Sequence, residues 1–221
     1  PGSASSFFSI TAMITMAVMC AIHFAGSYYQ LHDHWVLIYG ASALYILQGE
    51  THRAITALFL HGDVQHLLGN LAGILIFAAP LIRMTGYGTG VFILLFSGTA
   101  GNLVNGHFQQ SIHLSIGAST LVMGAAGLLC AARIMQPDQP FRIKSLLPVF
   151  SGALLMALFS QGENTDVWAH IFGFIFGLLS GCLFFPLNRM WQFPGKQATA
   201  LTITVIILII AGAAPFFHMQ I

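Results

Sequence analysis

Apolar residues along this chain gather in long runs broken by short polar stretches, a pattern of membrane spans rather than of amphipathic helices or alternating strands. Seven runs stand out, at about residues 7–29, 64–82, 88–106, 118–135, 145–161, 167–187 and 199–217. Most approach the roughly 20 residues that a helix needs to cross a bilayer. The stretch from His34 to Leu47 is apolar but short for a span. Its Trp35, Tyr39 and Tyr45 suit the headgroup boundary, so it reads as an interfacial or re-entrant segment. Two linkers show by their proline and polar content, Gln136-Pro137-Asp138-Gln139-Pro140 and Asn188 to Gln197. No tandem repeat, low-complexity tract or soluble domain stands out. The expectation is one membrane domain over 1–221, all-α and polytopic, with a core over about 7–187 and an extra C-terminal helix over about 199–217.

Composition agrees with that picture. The chain of 221 residues is 57% hydrophobic and only 6% charged. A soluble domain carries about 25% charged residues, so this chain could not cover a water-facing surface and calls for lipid as its partner. The few charges are informative by position. The loops after the second, fourth and sixth runs hold Arg83, Arg133, Arg142, Lys144, Arg189 and Lys196. The other loops hold Arg53 alone among basic residues, together with Asp33, Glu50, Asp63, Glu163 and Asp166. Basic loops face the cytoplasm, which puts the N-terminus inside, the long loop of about 30–63 outside and the C-terminus outside. No positively charged segment precedes the first apolar run, so a secretory signal peptide is not expected, and the opening Pro1-Gly2-Ser3 leaves room for a natural N-terminus upstream. Cys20, Cys130 and Cys182 sit singly in apolar segments and read as small packing residues. There is no basic stripe for nucleic acid and no nucleotide, flavin or metal motif, so no cofactor is expected.

Polar side chains inside apolar runs are expensive and mark functional sites. Three places qualify: His61-Gly62-Asp63-Val64-Gln65-His66-Leu67-Leu68-Gly69-Asn70, Gly117-Ala118-Ser119, and Ala169-His170. His66 and Asn70 are four apart and share a helical face, while His61 falls in the loop before that helix. The two histidines can simply hydrogen-bond backbone at the membrane boundary. A zinc site fits poorly, because their spacing is not i, i+4 and HExxH is absent. A serine on a membrane helix is usually a packing residue. Ser119, however, lies at the start of a run, where free backbone N–H groups and the positive end of the helix dipole suit a developing oxyanion. Gly117 permits a close approach to that end.

His170 lies near the outer end of the sixth run, and Ser119 opens a run that also descends from outside. The two can share a depth, and a hydroxyl needs a base such as imidazole to act as a nucleophile at neutral pH. Gly173, Gly177 and Gly181 recur every four residues beside Gly124, Ala125 and Gly127, and small residues at such spacing let helix backbones meet. Asp166 is expected in the loop and not as the third member of a triad, which leaves a Ser119–His170 dyad.

With these residues in place the chain resembles the rhomboid family over about 50–185. His52-Arg53 with Thr56 and Phe59 resembles the Trp-Arg block of the first outer loop. His61-x4-His66-x3-Asn70, Gly117-Ala118-Ser119 and Ala169-His170-x2-Gly173-x3-Gly177 resemble the blocks of the second, fourth and sixth helices. The resemblance implies a bundle of six core transmembrane helices, here with a seventh, and an intramembrane serine endopeptidase. Ser119 would attack the scissile carbonyl and His170 would shuttle the proton. The backbone N–H of Ser119 with the side chains of His66 and Asn70 would hold the oxyanion. His61 would brace the first loop by hydrogen bonds, Arg53 would do similar structural work, and Gly117 would shape the loop before the nucleophile. Substrates would be single-pass membrane proteins cut near the outer face, and a bacterial inner membrane would be the location.

Three positions depart from the family pattern: Thr120 stands where Gly is common, Met123 where an aromatic often follows, and Ile82 where a Glu is expected. They bear on substrate choice and packing, and with His66-Leu67-Leu68-Gly69-Asn70 they leave a rhombosortase-like branch open. The alternatives are a rhomboid-fold pseudoprotease that binds membrane clients without cutting them, and a small transporter. The first would usually lack Ser119 or His170. The second would place ionisable groups along a deep pathway, whereas the acids here sit in loops.

Overall fold

The computed structural model describes residues 3–110, 112–135, 166–190 and 193–218, with the side chains of 3–9, 188–190 and 218 left aside. Over these residues the chain is almost wholly helical, as the unbroken apolar runs require: in lipid every backbone polar group must be paired within its own segment. Five long helices are apolar enough to span a membrane, at Ile10–Tyr28, Val64–Thr85, Tyr87–Gln109, Val167–Leu187 and Pro194–Phe217, with a shorter one at Ser119–Ile134. These coincide with six of the seven predicted runs. The seventh, 145–161, lies outside the described residues.

The helices are α1 (Ser3–Tyr28), α2 (His32–Tyr39), α3 (Ala43–Leu47), α4 (Arg53–Thr56), α5 (Val64–Thr85), α6 (Tyr87–Gln109), α7 (Ser119–Ile134), α8 (Val167–Phe184) and α9 (Pro194–His218). The apolar stretch 34–47 does not span; it breaks into α2, a two-residue strand β1 (Ala41–Ser42) and α3. Strand β1 pairs antiparallel with β2 (Leu114–Ser115), Ala41 opposite Ser115, and so ties the long first loop to the connection that precedes α7. Inside α5 the helix widens to a π-type turn over Ile74–Ala78, just before Pro80. Proline has no N–H to give and its ring presses on the preceding turn, and the wider turn absorbs both.

Helix α7 is the buried centre. From Ser119 to Leu128 every residue is buried, and Val122, Ala125 and Leu128 join Leu67, Ile74, Phe77 and Leu81 of α5 in the main apolar core. Its 16 residues rise only about 24 Å, shorter than the about 30 Å of hydrocarbon in a bilayer. Helix α8 runs parallel to α7 in backbone contact. A Cβ added at Gly173 would strike the Thr120 carbonyl, one at Gly177 the Gly124 carbonyl, and one at Gly181 the Ala131 side chain. Residue numbers climb together on both helices, which fixes the register. The glycine spacing therefore does what small residues do in membranes: it lets dispersion and backbone packing replace the absent hydrophobic drive.

Helix α9 packs along α6 and is joined to it by an amide. Gln197 Oε1 accepts from Gly88 N (2.8 Å) and Thr89 N (3.1 Å), and its Nε2 donates to Thr85 O (3.1 Å) and Thr89 Oγ1 (2.9 Å). Gly86, at φ 101°, makes the left-handed turn between α5 and α6, directly against this side chain.

Candidate active site

Four chain segments converge at the start of α7. The connection from α6 is tied down by the β1–β2 pair and by Gly117 N, which donates to Ala57 O at 2.9 Å. Gly117 adopts φ 117°, a region that side chains rarely enter, and turns the chain into α7 with Ser119 as its first residue. There, Ser119 keeps the unpaired N–H groups of a helix start close by. It is only 7% exposed.

Helix α5 supplies the facing wall. Asp63 caps it, Oδ1 accepting from His66 N at 2.7 Å, and so fixes the first turn. His66 and Asn70, one turn apart, both face Gly117: a Cβ placed there would lie 2.5 Å from His66 Nε2 and 3.3 Å from Asn70 Nδ2. Asn70 is 1% exposed, and neither atom of its amide has a hydrogen-bond partner among the described residues. A buried amide with both ends idle is unusual and expensive unless something visits it.

His170 enters from α8, half-buried, one turn before Gly173. Because Gly173 rests on the carbonyl of Thr120, the residue after Ser119, the shared register sets His170 and Ser119 at the same end of two touching helices. His66 and Asp166 are the ionisable groups within electrostatic reach of His170. Asp166 caps α8, with Oδ1 accepting from Ala169 N at 3.0 Å. Its Oδ2 accepts from Asn105 Nδ2 (2.5 Å) and His113 Nε2 (2.6 Å). The carboxylate is thus engaged by Ala169, Asn105 and His113. Burial works to raise its pKa, yet the bonds from His113, Ala169 and Ser115 hold it below the usual carboxylate value.

A rhomboid domain model matches residues 48–187. The chain belongs to the rhomboid family. As such it is a multi-pass integral membrane protein, and the family consists generally of intramembrane serine proteases. It is 29% identical over 191 residues to Rhomboid-like protease 3 of Toxoplasma gondii, covering 80% of this chain and 71% of that one. With RHOMBOID-like protein 6, mitochondrial, of Arabidopsis thaliana it shares 32% over 148 residues, 64% of this chain and 46% of that one. YdcA of Bacillus subtilis (strain 168), which carries a provisional rhomboid protease name, is 28% identical over 136 residues, 61% of this chain and 67% of its own.

The remaining rhomboid positions can be placed. Arg53 staples the first loop: Nε donates to Glu50 Oε2 (2.7 Å), Nη1 to Leu37 O (2.7 Å) and Gly40 O (3.4 Å), and the guanidinium lies 4.4 Å over the Tyr45 ring. His61 is buried at 1% exposure, and its carbonyl accepts from His23 Nδ1 of α1 at 3.1 Å. Its ring packs edge-on against His66, 5.3 Å between centroids. Burial first, and then the neighbouring His66 and His23, lower its pKa to about 3, so it is neutral.

The three departures fit the packing. The Thr120 methyl sits where Cβ atoms on Gly101 or Gly173 would collide with it, so Gly101 of α6 makes the room that a glycine at 120 would otherwise supply. Met123 and Ile82 are both buried in the main core. Sequence reasoning missed the set around Asp166. The cap itself was legible, an aspartate three residues before Ala169. Asn105 and His113, 61 and 53 residues away in the chain, carried no local signal.

Proposed function

We propose that this rhomboid is an intramembrane serine endopeptidase that cuts transmembrane segments near the outer face of the membrane, with Ser119 as nucleophile and His170 as its base. The observation that carries the reading is the convergence at one helix start. The α7–α8 register brings the turn with His170 to the level of Ser119, while the Gly117 turn faces His66 and the idle amide of Asn70.

In this reading Ser119 Oγ attacks the scissile carbonyl as His170 takes the hydroxyl proton. The negative oxygen is met by the N–H of Ser119 and the side chains of His66 and Asn70. Collapse breaks the C–N bond, and His170 passes the proton to the leaving amine. Water, deprotonated by His170, then frees Ser119. No metal or cofactor enters. The short α7 supports a site sunk below the surface, reached by a substrate helix that unwinds. Small residues before the cut suit so crowded a hollow. The basic loops support a cytoplasmic N-terminus, and a bacterial inner membrane is the proposed location.

Cleavage of a model transmembrane substrate in liposomes tests this. Wild type should yield product, whereas Ser119→Ala and His170→Ala should not. Equal product from all three would remove the chemistry.

A further inference from the structure

Asp166 does more than end a helix. A cap needs one acceptor for one N–H, and Asp166 Oδ1 provides it for Ala169. Its second oxygen takes two further donors from other parts of the fold: Asn105 near the end of α6 and His113 in the connection that leads to Ser119. An ionised carboxylate only accepts, so His113 Nε2 carries the proton in that bond. The Ser115 hydroxyl, two residues on and paired through β2 with β1, also bonds to it. The side chain is 9% exposed, and that of His113 is 27% exposed.

The chain positions of these partners matter. Ala169 adjoins His170. His113 and Ser115 lie six and four residues before Ser119 on a segment otherwise held by Gly117 N on Ala57 O, by Ala43 N on His113 O and by two strand residues. One buried carboxylate thus joins the support of the proposed base to the support of the proposed nucleophile, without touching either reacting atom. We infer that Asp166, clamped by His113 and Asn105, is a positioning residue that sets the α8 turn bearing His170 against the connection bearing Ser119. The inference rests on the proteolytic reading above. Its physical basis is that a small misplacement between reacting groups is costly: a shift of about 1 Å can lower a rate roughly 100-fold.

Asp166→Asn separates clamp from cap. Its amide oxygen still accepts from Ala169 N, but its NH2 faces the donors of Asn105 and His113 and cannot accept from them. His113→Ala opens the clamp from the other end and leaves the cap untouched. With the full chain in liposomes, both variants should lower kcat on a transmembrane substrate by about 10- to 100-fold. KM should stay within about twofold, because no substrate contact is lost. Hydrogen exchange should rise together in residues 113–119 and 167–171. Wild-type kcat in both variants, or faster exchange confined to 167–171 in Asp166→Asn, would show a simple cap and overturn the inference. Ser119→Ala, run alongside, keeps the two questions apart. If Ser119→Ala is inactive while both clamp variants cut normally, only the positioning role falls. If Ser119→Ala cuts like wild type, the proteolytic reading falls with it.

Discussion

Two buried carboxamides sit in this protein under opposite conditions. Gln197, where α9 meets the α5–α6 turn, uses both ends of its amide in four hydrogen bonds. Asn70, beside the start of α7, is buried just as deeply and bonds to nothing described. The helices around them differ in the same sense. α9 is fastened by a satisfied polar group, whereas α7 and α8 meet backbone to backbone through glycines. Gln197, which fastens one helix to its neighbours, is paired at both ends of its amide, whereas Asn70, beside a serine at a helix start, leaves both ends open. The lesson is that two amides buried alike can differ wholly in pairing, and pairing tells a fastening group from an open one where burial does not.

The largest way to break the comparison is Gly177→Leu. The added atoms would enter the Gly124 carbonyl, so α7 and α8 must part and both fold and activity should be lost, read as aggregation in size-exclusion chromatography. Asn70→Ala comes next. It should lower kcat by about 100- to 1000-fold, the usual effect of one missing oxyanion donor, while thermal stability in detergent stays level or rises, because no bond is lost. Gln197→Ala should do the reverse. It should cost about 2–4 kcal/mol, at roughly 1 kcal/mol for each buried hydrogen bond, and leave kcat at the wild-type value.

The last effect is confined to acid pH. Folded His61 has its pKa lowered from 6.5 to about 3, so below pH 6.5 the unfolded chain binds a proton that the fold refuses. Stability should therefore fall as pH drops from about 6.5 towards 3, by at most about 1.4 kcal/mol per unit for this group, and level off below. His61→Gln should flatten that slope in thermal melts recorded across the range.

Much of this was legible in the chain. Spans follow from apolar runs because lipid forbids any other backbone arrangement, and the α7–α8 seam follows from Gly173, Gly177 and Gly181 because only glycine allows such contact. The candidate site was legible where a polar residue stood out against an apolar run, as Ser119, His170, His66 and Asn70 do. What could not be read depends on distant partners. Nothing local to Gly101 says that Thr120 needs its space, nothing near His113 names Asp166, and the pairing of Gln197 with the α5–α6 turn spans over 100 residues.

The central claim is that one hydroxyl in this bundle is activated. Treating the protein in detergent with a fluorophosphonate probe and mapping the adduct by mass spectrometry tests it most directly. The account predicts a single modified residue, Ser119, with labelling abolished in Ser119→Ala and strongly slowed in His170→Ala. Labelling that persists in Ser119→Ala, or an unlabelled wild type that nonetheless cleaves substrate, would contradict it.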